Sequence, residues 1–85
     1  MDKYDETHRI ISNMAGVKMR LNSHKGNIEE CEPEYIIKKL REEVDELEEA
    51  VANGQMLMIT EESADVFNYL VALVHQQVEL YRRRK

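Results

Sequence analysis

The 85-residue chain has no tryptophan, one phenylalanine, one proline, one cysteine and three glycines. Each shortage excludes something. A lone cysteine, Cys31, forms no internal disulfide, and with no Cys or His partner at zinc spacing it reads as a bystander. No histidine stands three residues after a glutamate, so the Glu-x-x-His pattern of di-iron bundles is missing; His8 and His75 read as surface or core-edge residues. No apolar run is long enough to span a bilayer and no signal peptide is visible at the acidic, polar start, so a cytoplasmic protein without a membrane partner is expected. A net charge of −5 argues against duplex nucleic acid as a partner, although a bound cation could still recruit nucleotides.

What is present is helix-forming material. With 42% apolar and 34% charged residues the composition is that of a soluble helical domain, and 85 residues bury only a modest fraction of their surface alone. Residues 1–85 are expected to form a single domain that leans on a partner chain.

The chain is organised around Leu40–Ala50 and Ile59–Leu70. Each helical residue advances about 100°, so with Leu40 at zero, Ile36, Val44, Leu47 and Val51 fall within roughly 40° and form an apolar stripe. Glu42, Asp45 and Glu49 point away from it. Glu43 and Glu46, at about −60° and −120°, lie on its flank, one turn apart. In the second segment, with Val66 at zero, Ile59, Leu70, Leu73 and Leu80 form the stripe, Glu62 falls inside it at about −40°, and Asp65 follows at about −100°. A lone ionised carboxylate is costly in such a place. If the two helices pack antiparallel, as a short connection favours, Glu43, Glu46, Glu62 and Asp65 converge. Four converging negative charges need a positive one among them, and an all-oxygen donor set suits Mg²⁺, with Mn²⁺ as a substitute. Mg²⁺ held by few carboxylates keeps waters or phosphate oxygens as its other ligands, which points to phosphate chemistry.

Glu42-Glu43-x-x-Glu46, then fifteen residues, then Glu62-x-x-Asp65 resembles the EExxE…ExxD signature of the MazG-like all-α nucleoside triphosphate pyrophosphohydrolases. Leu40, Leu47, Ala50 and the run from Asp65 to Leu70 agree with that frame, and the resemblance covers about residues 18–74. It implies cleavage of a nucleoside triphosphate to the monophosphate and pyrophosphate by a homodimer or a dimer of dimers. Glu43, Glu46, Glu62 and Asp65 would hold the metal, and a water would attack, with Glu42 and Glu46 as candidates to orient it. Glu42's outward angle counts against it.

The first helix is expected from Asp5 to Leu21, because Thr7, Ile10, Ile11, Met14, Val17, Lys18 and Leu21 recur at three- and four-residue spacing; Asp2 or Asp5 could cap it. The polar stretch from Asn22 to Glu32 reads as a loop. Lys18-Met-Arg-Leu-Asn-Ser-His-Lys-Gly26 resembles a stretch of some phage-type MazG-like proteins, with Asn27-Ile28 where those carry an aromatic residue. That likeness makes Lys18, Asn22, His24 and Lys25, with Arg20, candidates to bind phosphates. Pro33 suits a first helical position, opening a second helix that stops at Asn53-Gly54. A third is expected from Met58 to Arg82. Tyr69, just above Glu62 and Asp65, and Asn68, further out at about −160°, are candidate substrate contacts on it. The third helix is apolar over two arcs, Val66, Leu70 and Leu73 on one side and Phe67, Val71, Val74 and Val78 on another. So wide an arc suggests burial against a second copy. The expected architecture is therefore all-α, three helices per chain with a four-helix-bundle-type core in a homo-oligomer.

Two alternatives stay open. One is a relative with the same motif and another substrate, such as a phosphoribosyl-ATP pyrophosphohydrolase or an all-α dUTPase-like enzyme. The other is a noncatalytic dimerisation or regulatory module, in which a lysine or arginine from a neighbouring helix would meet Glu43 and Glu62.

Overall fold

The computed structural model of the chain describes residues 2–22 and 28–84. Three helices, α1 (Asp5–Leu21), α2 (Pro33–Asn53) and α3 (Met56–Arg83), make up nearly all of it, with a single 3₁₀ turn at Ile28–Glu30 between the first two. There is no strand among the described residues. Among the described residues no helix is long and apolar enough to cross a membrane.

The boundaries follow from local chemistry. Asp2 sets the turn before α1, its side chain accepting from the Tyr4 N–H at 3.2 Å and its carbonyl from the Asp5 N–H at 3.1 Å. Pro33 opens α2, where its missing N–H costs nothing. Gly54 ends it at φ +68°, its N–H shared between the carbonyls of Ala50 and Val51 at 3.0 Å each. That left-handed conformation is cheap only for glycine. Gly54 and Gln55 are all that separate α2 from α3, and α3 starts two residues earlier than its periodicity predicts, at Met56, and ends one later, at Arg83.

α3 packs against both other helices, which scarcely touch each other. Its circumference divides into three sectors. Ala64, Asn68 and Ala72 are buried, and Asn68 donates from Nδ2 to the Ala15 carbonyl at 2.9 Å, which places this strip against α1. Alanines let two helix backbones come close, and Ala15 is the buried residue of α1. A second sector, about −20° to −100° from Val66, carries Glu62, Asp65, Tyr69 and Leu73 and meets α2. The third carries Phe67, Leu70, Val71, Val74 and Val78, all between 38% and 60% exposed.

Two sequence expectations change here. Asn68, whose helical angle points outward and makes it a candidate substrate contact, is instead enclosed by α1 on that side. The buried face of α2 is also turned towards Glu43: Ile36 and Ala50 are fully enclosed, while Val44 and Val51, expected in the stripe, are about half exposed. The shift places Glu43 on the packed face, with Ile36, Leu40, Leu47 and Ala50, and no longer on its flank. Hydropathy alone centres the stripe on the largest aliphatic residues, whereas α2 seats on its alanine.

Because Asn68 ties α3 to α1, Asn68→Ala is expected to destabilise the fold by about 1–3 kcal/mol, the cost of a lost buried hydrogen bond and its small cavity. Chemical denaturation of wild type and variant measures it. A residue that served only to grip a ligand would leave the unfolding midpoint unchanged.

Candidate active site

The seam between α2 and the second sector of α3 is acidic. Glu43 on α2 and Glu62 and Asp65 on α3 each bring a carboxylate oxygen within 4.8 Å of the others, all three side chains half-buried. Glu46, one turn beyond Glu43 and exposed, closes the group on the solvent side, near enough to perturb both glutamates. Helix geometry explains the convergence, since residues three apart share a face and the two-residue link turns α3 back along α2.

The electrostatics are unfavourable as they stand. Oε2 of Glu43 and Oε2 of Glu62 are buried and accept no hydrogen bond among the described residues. The Glu43 carboxyl is pushed up to about 7, by burial first, then by hydrogen bonding and repulsion from Glu46 and by the charges of Asp65 and Glu62. Glu62 is raised too, again by burial and then by Glu46 and Asp65, with the Lys18 ammonium opposing. Burying a polar atom without a partner costs roughly 1–3 kcal/mol. Two such atoms in one acidic seam leave oxygens for a cation to satisfy, and an all-oxygen set suits a hard divalent cation.

Lys18 reaches the seam from α1. Its Nζ lies 2.9 Å from each carboxylate oxygen of Asp65 and 3.2 Å from the Glu61 carbonyl. The neighbouring-helix cation therefore goes to Asp65. It forms no ion pair with Glu43 or Glu62, the two contacts that a merely salt-bridged face requires.

The other candidates are dispersed. Glu42 turns away and pairs with Lys39 at 3.0 Å, its side chain half exposed. Asn22 caps α1, its side-chain amide donating to the Lys18 carbonyl at 3.0 Å. His24 and Lys25 lie outside the described residues. Tyr69 is half-buried beside the acids, its hydroxyl pKa raised by burial and then by Glu43. Sequence reasoning missed Tyr35 and Lys39. Both act electrostatically on Tyr69, and the Lys39 ammonium stands 5.9 Å from the Tyr35 ring centre. The signal was there: positions 35, 39 and 43 are successive i, i+4 neighbours on α2 and share a face.

The family model of phosphoribosyl-ATP pyrophosphohydrolase matches residues 8–83, nearly the whole chain and both acidic pairs. The chain belongs to this family. It is thereby a member of the MazG-like all-α superfamily, a hydrolase of phosphoric anhydride bonds that releases pyrophosphate from a nucleotide-like substrate. No curated protein and no solved structure matches it significantly.

Proposed function

We propose that this pyrophosphohydrolase is Mg²⁺-dependent and cleaves a nucleoside triphosphate to the monophosphate and pyrophosphate, as a single domain over residues 1–85 acting on the cytoplasmic nucleotide pool. The observation that carries the reading is the pair of buried, unpartnered oxygens on Glu43 and Glu62, two carboxylates that cluster with Asp65. Glu43, Glu46, Glu62 and Asp65 would hold the cation. When bound, such a cation neutralises triphosphate charge and polarises its phosphoryl oxygens.

The chain's own side chains supply the rest. Glu46, exposed at the end of the group, would orient a water and take its proton; the Glu42–Lys39 ion pair supports giving that role to Glu46 in preference to Glu42. Lys18 and Lys39 would serve as phosphate partners, and Lys25, outside the described residues, is a further candidate. Tyr69 and Tyr35 offer ring faces for a base or ribose.

A homodimer, alone or paired into a tetramer, is part of the proposal. Ile36 is the one large side chain fully buried among the described residues, while Phe67, Leu70, Val71, Val74 and Val78 leave an apolar sector of α3 open. The radius of gyration, 14.2 Å, exceeds the ~12 Å of a compact domain of this length. Both support a core completed by a second copy.

A second reading, hydrolysis of phosphoribosyl-ATP to phosphoribosyl-AMP and pyrophosphate, is favoured by the matched family. Both substrates present a triphosphate to the same acids. Anion-exchange analysis of products, with Mg²⁺ and a panel of dNTPs, NTPs and phosphoribosyl-ATP, separates them. Pyrophosphate from one class names the substrate. No turnover of any of them, with melting unchanged by Mg²⁺, would overturn the catalytic reading of the seam.

A further inference from the structure

We propose that Lys18 is an exchangeable occupant of the cation site: its ammonium holds Asp65 in the ion-free protein and leaves that carboxylate when a divalent cation enters. The inference rests on the reading of Glu43, Glu46, Glu62 and Asp65 as cation ligands. Three observations carry it. First, Nζ is 2.9 Å from both Oδ1 and Oδ2 of Asp65, so the ammonium sits astride the carboxylate where a ligated ion would bind. Second, the oxygens of Glu43, Glu62 and Asp65 lie within 4.8 Å of one another, so an ion among them stands close to that ammonium, and like charges at such separations repel strongly. Third, both partners of the pair are 25% exposed, and lysine is a compact charge on a flexible four-carbon stem, so the ammonium can swing into water without moving α1.

Lys18 serves only Asp65 and the Glu61 carbonyl, leaving Glu43 and Glu62 with their unpartnered oxygens. It is a partial counter-ion: enough to keep the seam folded when no cation is bound, too little to satisfy it. Entry of the cation then couples to release of Lys18 from α3, which frees a positive charge at the rim of the seam at the moment a triphosphate has something to bind.

The test follows the Lys18 side chain by NMR in the wild-type protein, selectively assigned through Lys18→Arg, while Mg²⁺ is added without substrate; cation binding itself is measured in parallel by calorimetry. The expected result is a Lys18 Nζ and Cε signal that moves from a carboxylate-bound to a solvent-exposed position with the same midpoint as cation binding. Lys18→Met is expected to bind Mn²⁺ on the order of tenfold more tightly, because no ammonium has to be expelled. A cation that binds while the Lys18 signal stays in place would overturn the exchange and leave the cation site standing. Binding of no cation by wild type or Lys18→Met would overturn both.

Discussion

Glu62→Ala is expected to slow pyrophosphate release by roughly a thousandfold or more while the chain still folds. A divalent ion stabilises several kcal/mol of charge developing at a phosphoryl group, and each 1.36 kcal/mol is a factor of about ten in rate. Glu62 lies in the middle of the α2-facing sector, within reach of Glu43 and Asp65, so its removal leaves α3 with only Asp65 to offer the ion, a carboxylate that Lys18 already engages. Folding is spared because the carboxylate contributes no hydrogen bond through Oε2 and is raised in pKa by its surroundings, the mark of a group that the fold tolerates more than it uses. Product formation over a range of Mg²⁺ concentrations checks it. Loss of activity that excess Mg²⁺ restores is consistent with a weakened ion site, whereas wild-type activity would remove Glu62 from the mechanism.

Glu43→Gln is expected to reverse the order of stability with and without the cation. In the ion-free protein the variant melts above wild type at pH 8, because glutamine fills the same space without adding a negative charge to Glu46, Glu62 and Asp65. The pH dependence has a definite sign. The Glu43 carboxyl rises from its usual range to about 7 in the fold, so between about 4.5 and about 7 the native state binds more protons than the unfolded chain. Wild-type stability from this group is therefore full below about 4.5 and is lost as pH rises to about 7, and the gap in favour of the glutamine variant opens across that window. Added Mg²⁺ reverses the ranking. At about a hundred times its dissociation constant a ligand adds about 2.7 kcal/mol, and a domain this small gains roughly 4–8 °C per kcal/mol. Wild type should then rise by on the order of 10–20 °C and the variant by far less. Differential scanning fluorimetry at fixed protein concentration, with pH and Mg²⁺ varied, reads both halves. Equal responses in the two proteins would mean that Glu43 faces no cation.

Much of this was legible in the sequence because it depends on a single helix at a time. The span of α1, the proline start and glycine stop of α2, and the meeting of Glu43, Glu62 and Asp65 across two antiparallel helices all follow from 3.6-residue periodicity and end-capping chemistry. What escaped depends on where one helix stands relative to another. Asn68 is polar and angled away from the apolar stripe, and only the close approach of α1 over Ala64 and Ala72 turns it into a buried tie. The turn of α2 towards Glu43 is likewise set by how closely Ala50 lets α3 come, a matter of side-chain volume that hydropathy does not weigh. The Lys18–Asp65 pair spans residues 47 apart and needs α1 and α3 both in place. Tyr35 and Lys39 were within reach of the same helical arithmetic that singled out Glu43, extended two turns back.

A Mn²⁺-soaked crystal decides whether Glu43, Glu46, Glu62 and Asp65 form a cation site, through the anomalous signal of the metal. A peak is expected between α2 and α3, within ligand distance of Glu43, Glu62 and Asp65 oxygens, with Glu46 on its solvent side. A map with no peak there, with Lys18 still astride Asp65 and both glutamates unchanged, would contradict it.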